Sequence, residues 1–112
     1  MNITITEQPH VTIVHLEGEI NGRTAPHIHD TLMPLAQPGR QFLLDMSRVS
    51  HVSAGGQRAL LLLCRHLSDN GHRPALVNLN EAPHDTLANT GFLDFFTTYD
   101  TLDEGLAALR KT

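Results

Sequence analysis

Residues 45–63, DMSRVSHVSAGGQRALLLL, constrain this chain more than any other stretch: they read as a buried strand, a small-residue elbow and an apolar helix start. Ser53, Ala54, Gly55 and Gly56 leave the first N–H groups of that helix almost uncovered. A helix start carries unpaired donors and a partial positive charge, so the elbow is a surface able to hold an anion or dock a partner. Ser53 is also a favoured N-cap residue, accepting from the amide of Gly55 or Gly56 while glycine lets the chain turn. Local sequence leaves both readings open. No G-x-G-x-x-G, Walker A or G-x-S-x-G pattern occurs, and the elbow pairs no nucleophile with an obvious base, so the expectation is a non-catalytic protein.

The 112 residues fit one domain, 1–112, and a 40% hydrophobic fraction is enough for a core. No apolar run approaches the roughly 18 residues of a membrane span, which predicts no membrane insertion. The N-terminal MNITITEQPH lacks the pattern of a signal peptide, and with the lone Cys64 this points to the cytoplasm. Cys64 falls in a helical apolar run, where a buried structural thiol is expected. A net charge of −4 and scattered cations argue against nucleic acid and for a protein partner. The eight histidines include no H-E-x-x-H and no zinc-like Cys/His spacing, and His27 and His29 diverge on a helix. No metal and no cofactor are expected, and the histidines read as surface groups with a pH response. A hydrolase built from Ser53 and His51 is disfavoured because residues two apart are not automatically in hydrogen-bond reach.

Alternation at Ile3 and Ile5, a turn at Pro9 and the segment Val11 to Leu16 predict a hairpin, with Glu17 to Arg23 as a turn-rich exit. Thr24 is placed as the cap of a helix carrying Pro26 in its first turn and Ile28, Leu32 and Leu35 on one face, ended by Pro38-Gly39. Phe42–Leu44 reads as a central strand ending at Asp45. In the helix after the elbow, Leu60, Leu63, Cys64 and Leu67 share a face, Leu61 and Leu62 widen it, and Asp69-Asn70-Gly71 stops it. Ala75, Leu76, Val77 and Leu79 form another buried strand, Asn80 caps a helix with Leu87 inward and Gly91 at its close, and Phe95 and Phe96 begin the last strand. Thr101 caps a final helix with Leu102, Leu106 and Leu109 inward, Asp103 and Glu104 in its first turn and Arg110 and Lys111 at its end. The order β-β-α-β-α-β-α-β-α implies an α/β fold with a mixed sheet and helices packed against it.

This order, with four short motifs, resembles the STAS family, the domain shared by anti-sigma factor antagonists and the cytoplasmic tails of sulfate transporters. Leu16-Glu17-Gly18-Glu19-Ile20 fits L-x-G-x-[LI], and Asp45-Met46-Ser47-Arg48-Val49 fits D-x-S-x-V. Ser53 to Gly56 stands where the family has D-S-S-G or D-S-T-G, and Thr90-Gly91-Phe92 resembles the S-G-[LF] after the third helix. The resemblance covers nearly the whole chain. It implies a module that docks an anti-sigma factor or GHKL-type serine kinase, with a phosphatase as a further partner, through Gly18, Asn21, Ser53, Ala54, Gly55, Gly56 and Gln57. In the family's antagonists the serine after the motif's Asp is phosphorylated, and the added charge and bulk abolish docking. An ungapped match puts Ser53 on the Asp and Ala54 on the acceptor, which breaks the switch. A register shifted by one residue instead makes Ser53 the phosphorylation site. Asn21 stands where antagonists often carry Asp. The alternative role is an accessory STAS subunit bracing the ATPase of a lipid-transport ATP-binding cassette complex.

Overall fold

The alternating and continuous apolar runs assemble into one five-stranded sheet in the computed structural model, which describes residues 1–69 and 73–110. The strands are β1 (Asn2–Gln8), β2 (Val11–Ile20), β3 (Gln41–Val52), β4 (Ala75–Val77) and β5 (Thr97–Tyr99), and they lie in that spatial order. β1 and β2 are antiparallel and joined at Pro9-His10, while β2 to β5 run parallel. Between them come α1 (Ala25–Leu32), α2 (Ala54–Ser68), α3 (Glu81–Thr90) and α4 (Leu102–Arg110), giving the expected order. No helix among the described residues is long and apolar enough to cross a membrane.

The two faces of the sheet are covered unequally. Val14, Leu16, Phe42, Leu44 and Leu76 point to one side, where Ile28 and Leu32 of α1, Leu60, Leu63 and Leu67 of α2, and Leu87 of α3 close the main core. Ile13, Leu43, Ala75 and Val77 point to the other, against Leu102, Leu106 and Leu109 of α4. α4 starts on a Thr101 cap, whose Oγ1 accepts from the Glu104 amide at 3.1 Å. Residues 42–44 are buried because parallel strands with helices on both faces alternate between two cores rather than between core and water.

Several boundaries differ from the sequence reading. β3 does not end at Asp45 but runs to Val52, with one residue of β2 twice facing two of β3: Leu16 faces Met46 and Ser47, and Glu19 follows Gly18 while His51 follows Val49 by two. These bulges let Met46, Val49 and Val52 all reach the same core, which erases the period-two signal. β2 likewise continues through Gly18 to Ile20 instead of leaving at Glu17. α1 passes into a 3-10 turn at Met33–Leu35, so Leu35 packs on the core from outside the helix. β4 stops at Val77 because Asn78 turns to positive φ (59°), leaving Leu79 beyond the strand. Phe95 ends a 3-10 turn (Phe92–Phe95) and Phe96 precedes β5 rather than starting it. The expected stop at Asn70-Gly71 and the basic close at Arg110 and Lys111 concern residues or side chains outside the described set.

Candidate functional site

Ser53 adopts an extended backbone at the head of α2, and its Oγ accepts from the Gly56 amide at 3.0 Å. It is therefore the N-cap, satisfying one of the orphan donors. Its oxygen accepts from this amide, and among the described residues no hydrogen bond joins it to His51. Ala54 and Gly55 follow on the first turn, both exposed, in a turn with no acidic residue.

Gly56 does a different job. A Cβ there would stand 2.1 Å from the carbonyl oxygen of Ile20 and 3.0 Å from the Asn21 nitrogen, so only glycine lets α2 start this close to the end of β2. The Ser53 amide donates to the same Ile20 oxygen at 2.9 Å. The elbow is thus bolted to the end of β2 by a hydrogen bond and a close backbone approach. Gly55 faces the next loop more loosely, with its hypothetical Cβ 3.8 Å from the Gly22 nitrogen.

Asn21 organises that loop. Its Oδ1 accepts from the amides of Arg23 at 2.8 Å and Thr24 at 3.1 Å, an Asx turn that leads the chain into α1. Thr24 stands at the N-cap but makes no cap bond to the helix; its hydroxyl donates to the Glu19 carbonyl at 2.8 Å and accepts from the Asn21 amide at 3.0 Å. The neutral Asn21 side chain is committed to the backbone, which an ionised Asp would serve equally well as an acceptor.

The structure brings Asn21, Ser53, Ala54 and Gly55 to one edge and sets Gly18, Gly56 and Gln57 back from it. Gly56 and Gln57 are buried. Gln57 turns inward, and its Oε1 accepts from the Thr90 hydroxyl at 2.7 Å, tying α2 to the end of α3. Gly18 lies back within β2 at positive φ (121°) beside the bulge, a position that demands glycine for conformation rather than for access.

The Asp45 motif is also structural. Its Oδ1 accepts from the Ser47 amide and from Asn78 Nδ2, each at 3.1 Å, and its Oδ2 lies 2.8 Å from His15 Nδ1. Since a carboxylate only accepts, His15 Nδ1 carries the proton. Partial burial pushes the Asp45 carboxyl up, but the bonds from the Ser47 amide, His15 and Asn78 outweigh it and hold the group below its ordinary value. Asn80 stands at the N-cap of α3 as expected but makes no side-chain cap bond; its Nδ2 donates to the carbonyls of Ser47 (2.8 Å) and Val49 (3.2 Å), clamping the bulged part of β3. Neither clamp was visible in sequence, because each joins residues about thirty apart; the only signal was an Asn in each of two loop positions.

Cys64 is buried, and burial pushes its thiol up to about 12, the behaviour of an inert core residue. Among the described residues no cluster of three or more His, Cys, Asp or Glu side chains is arranged to hold a metal ion.

The STAS domain pattern matches residues 2–105. The chain belongs to the STAS domain family. Its relatives include a Bordetella bronchiseptica protein provisionally named anti-sigma factor antagonist BtrV, 24% identical over 98% of this chain and 96% of the relative. An anti-sigma factor antagonist from Mycobacterium paratuberculosis superposes with a TM-score of 0.83 at 24% identity, covering 97% of this chain and 93% of that one. The antagonist SpoIIAA superposes in its unphosphorylated form at 0.79 (16% identity, 99% and 98% covered). SpoIIAA from Bacillus in its phosphorylated form gives 0.70 (15% identity, 96% and 99% covered). Within the STAS family this chain therefore resembles the anti-sigma factor antagonists over its length.

Proposed function

We propose that this STAS domain is a cytoplasmic, non-catalytic binding module of the antagonist type. It docks an anti-sigma factor or GHKL-type serine kinase on the edge formed by Asn21, Gly22, Ser53, Ala54 and Gly55. The observation that carries this is the elbow itself, a capped helix start with two small exposed residues and no acidic side chain in its first turn, locked to the end of β2. A surface so low and rigid admits close approach by a partner and is blocked by any added bulk or negative charge.

The same geometry supports an ungapped reading of the motif. Gly56 must be glycine for steric reasons, which suits the invariant-looking fourth place of D-S-S-G or D-S-T-G, and Ser53 fills an N-cap where Asp would serve as well. On that register Ala54 takes the acceptor position, and alanine has no hydroxyl to phosphorylate. The module is then a constitutive binder whose control lies in its expression or in the partner.

Incubation with the cognate kinase and ATP, followed by intact-mass measurement, tests the switch. An unchanged mass is expected. A gain of one phosphate, mapped to Ser53 and abolished in Ser53→Ala, overturns the constitutive reading and leaves Ser53 as the phosphorylation site.

A further inference from the structure

A second concave site lies away from the elbow, on the later turns of α2. A cavity of about 310 Å³ opens between these turns, the residues leading into β4 and the end of the 3-10 turn before β5. Leu61, Cys64 and Phe96 line it, and Phe95 stands at its side with 55% of its surface in water, an unusual exposure for so large an apolar group. The volume sits at the lower end of the roughly 300–1,000 Å³ range of small-molecule sites.

Arg65, Ser68, Arg73 and Pro74 complete the lining. Among the described residues neither guanidinium is ion-paired; the four ion pairs involve His15, His29, Arg48 and His84. Arg73 donates once, to the Phe95 carbonyl at 3.0 Å, which fixes its fork beside the cavity and leaves further N–H groups for a ligand. On a chain of net charge −4, two guanidinium groups with no ion-pair partner among the described residues, beside a hollow lined by Leu61, Phe95 and Phe96, select for an anion that also has a hydrocarbon part.

We propose that this cavity binds an anionic amphiphile, an alkyl chain ending in a carboxylate or phosphate, with its head on Arg65 and Arg73 and its chain against Leu61, Phe95 and Phe96. None of the elbow residues Ser53 to Gly56 lines this cavity.

Calorimetric titration with decanoate and with decyl phosphate, below their micellar concentrations, tests it. Saturable one-to-one binding is expected, with decanol and decyltrimethylammonium weaker by roughly tenfold or more because they cannot engage the guanidinium groups. Arg65→Gln alone, and Arg65→Gln with Arg73→Gln, should each weaken the anions and leave decanol unchanged, while Gly55→Glu binds them as the native protein does. Arg65→Gln keeps the Arg73 to Phe95 bond, so its result stands even where the double variant melts early. No saturable binding of either anion, equal binding of decanol, or undiminished binding by Arg65→Gln overturns the proposal. So does sedimentation with phosphatidylglycerol vesicles by a protein that ignores the monomeric anions, since that outcome assigns the cations to a membrane surface.

Discussion

Glycine at position 56 is fixed by a neighbour far away in sequence, the Ile20 carbonyl, whereas Gly22 faces open space. Gly56→Ala should therefore destabilise the fold by about 1–3 kcal/mol or more, as overpacking against rigid backbone does. Gly22→Ala should be neutral or stabilising by up to about 1 kcal/mol through the unfolded chain. Urea denaturation of the two variants checks the contrast. Asp45 sets a pH dependence. Its folded-state pKa lies below the unfolded value, so its contribution is present above about pH 4 and is lost as pH falls through the folded pKa. Wild-type stability should fall over that acid range more steeply than that of Asp45→Asn, as measured by thermal melting from pH 6 downward; parallel curves would contradict the hydrogen-bonded assignment of the carboxylate.

At the scale of elements, legibility followed the range of the interactions. The face of α2 was readable because Leu60, Leu63, Cys64 and Leu67 obey helical spacing, and all four are buried. Leu63→Ala should cost about 2–5 kcal/mol as a cavity mutation, seen as a shift in denaturation midpoint at constant slope. The far half of β3 was unreadable because two bulges carry Met46, Val49 and Val52 to one core, and a bulge is set by the partner strand rather than by local composition. Caps divided the same way: Ser53 and Thr101 bond to amides three residues on, while Thr24 and Asn80 spend their polar groups on other segments. α4 docks through Gly105, where a Cβ would stand 2.8 Å from Val77 Cγ1. Gly105→Ala should accordingly loosen α4, raising hydrogen exchange in residues 102–109 more than in α2; equal protection in both helices would refute it.

For the molecule as a whole, the sequence motifs name one stretch as the docking surface but do not separate its exposed from its buried members. Ser53, Ala54 and Gly55 line the edge, while Gly56 and Gln57 stand behind it holding α2 to β2 and α3. That division allows a clean test. Gly55 accepts a Cβ at ordinary contact distance, and a glutamate in the first turn of α2 gains helix propensity and a favourable dipole, so Gly55→Glu should fold at least as stably as the native chain. It should nevertheless repel a partner. The decisive measurement is the affinity of Gly55→Glu, against the native chain, for the anti-sigma factor or serine kinase recovered from the native host, with melting temperature recorded on the same samples. The elbow account predicts a loss of roughly tenfold or more in affinity with no fall in melting temperature; native affinity in the folded variant would contradict it and move the docking surface elsewhere.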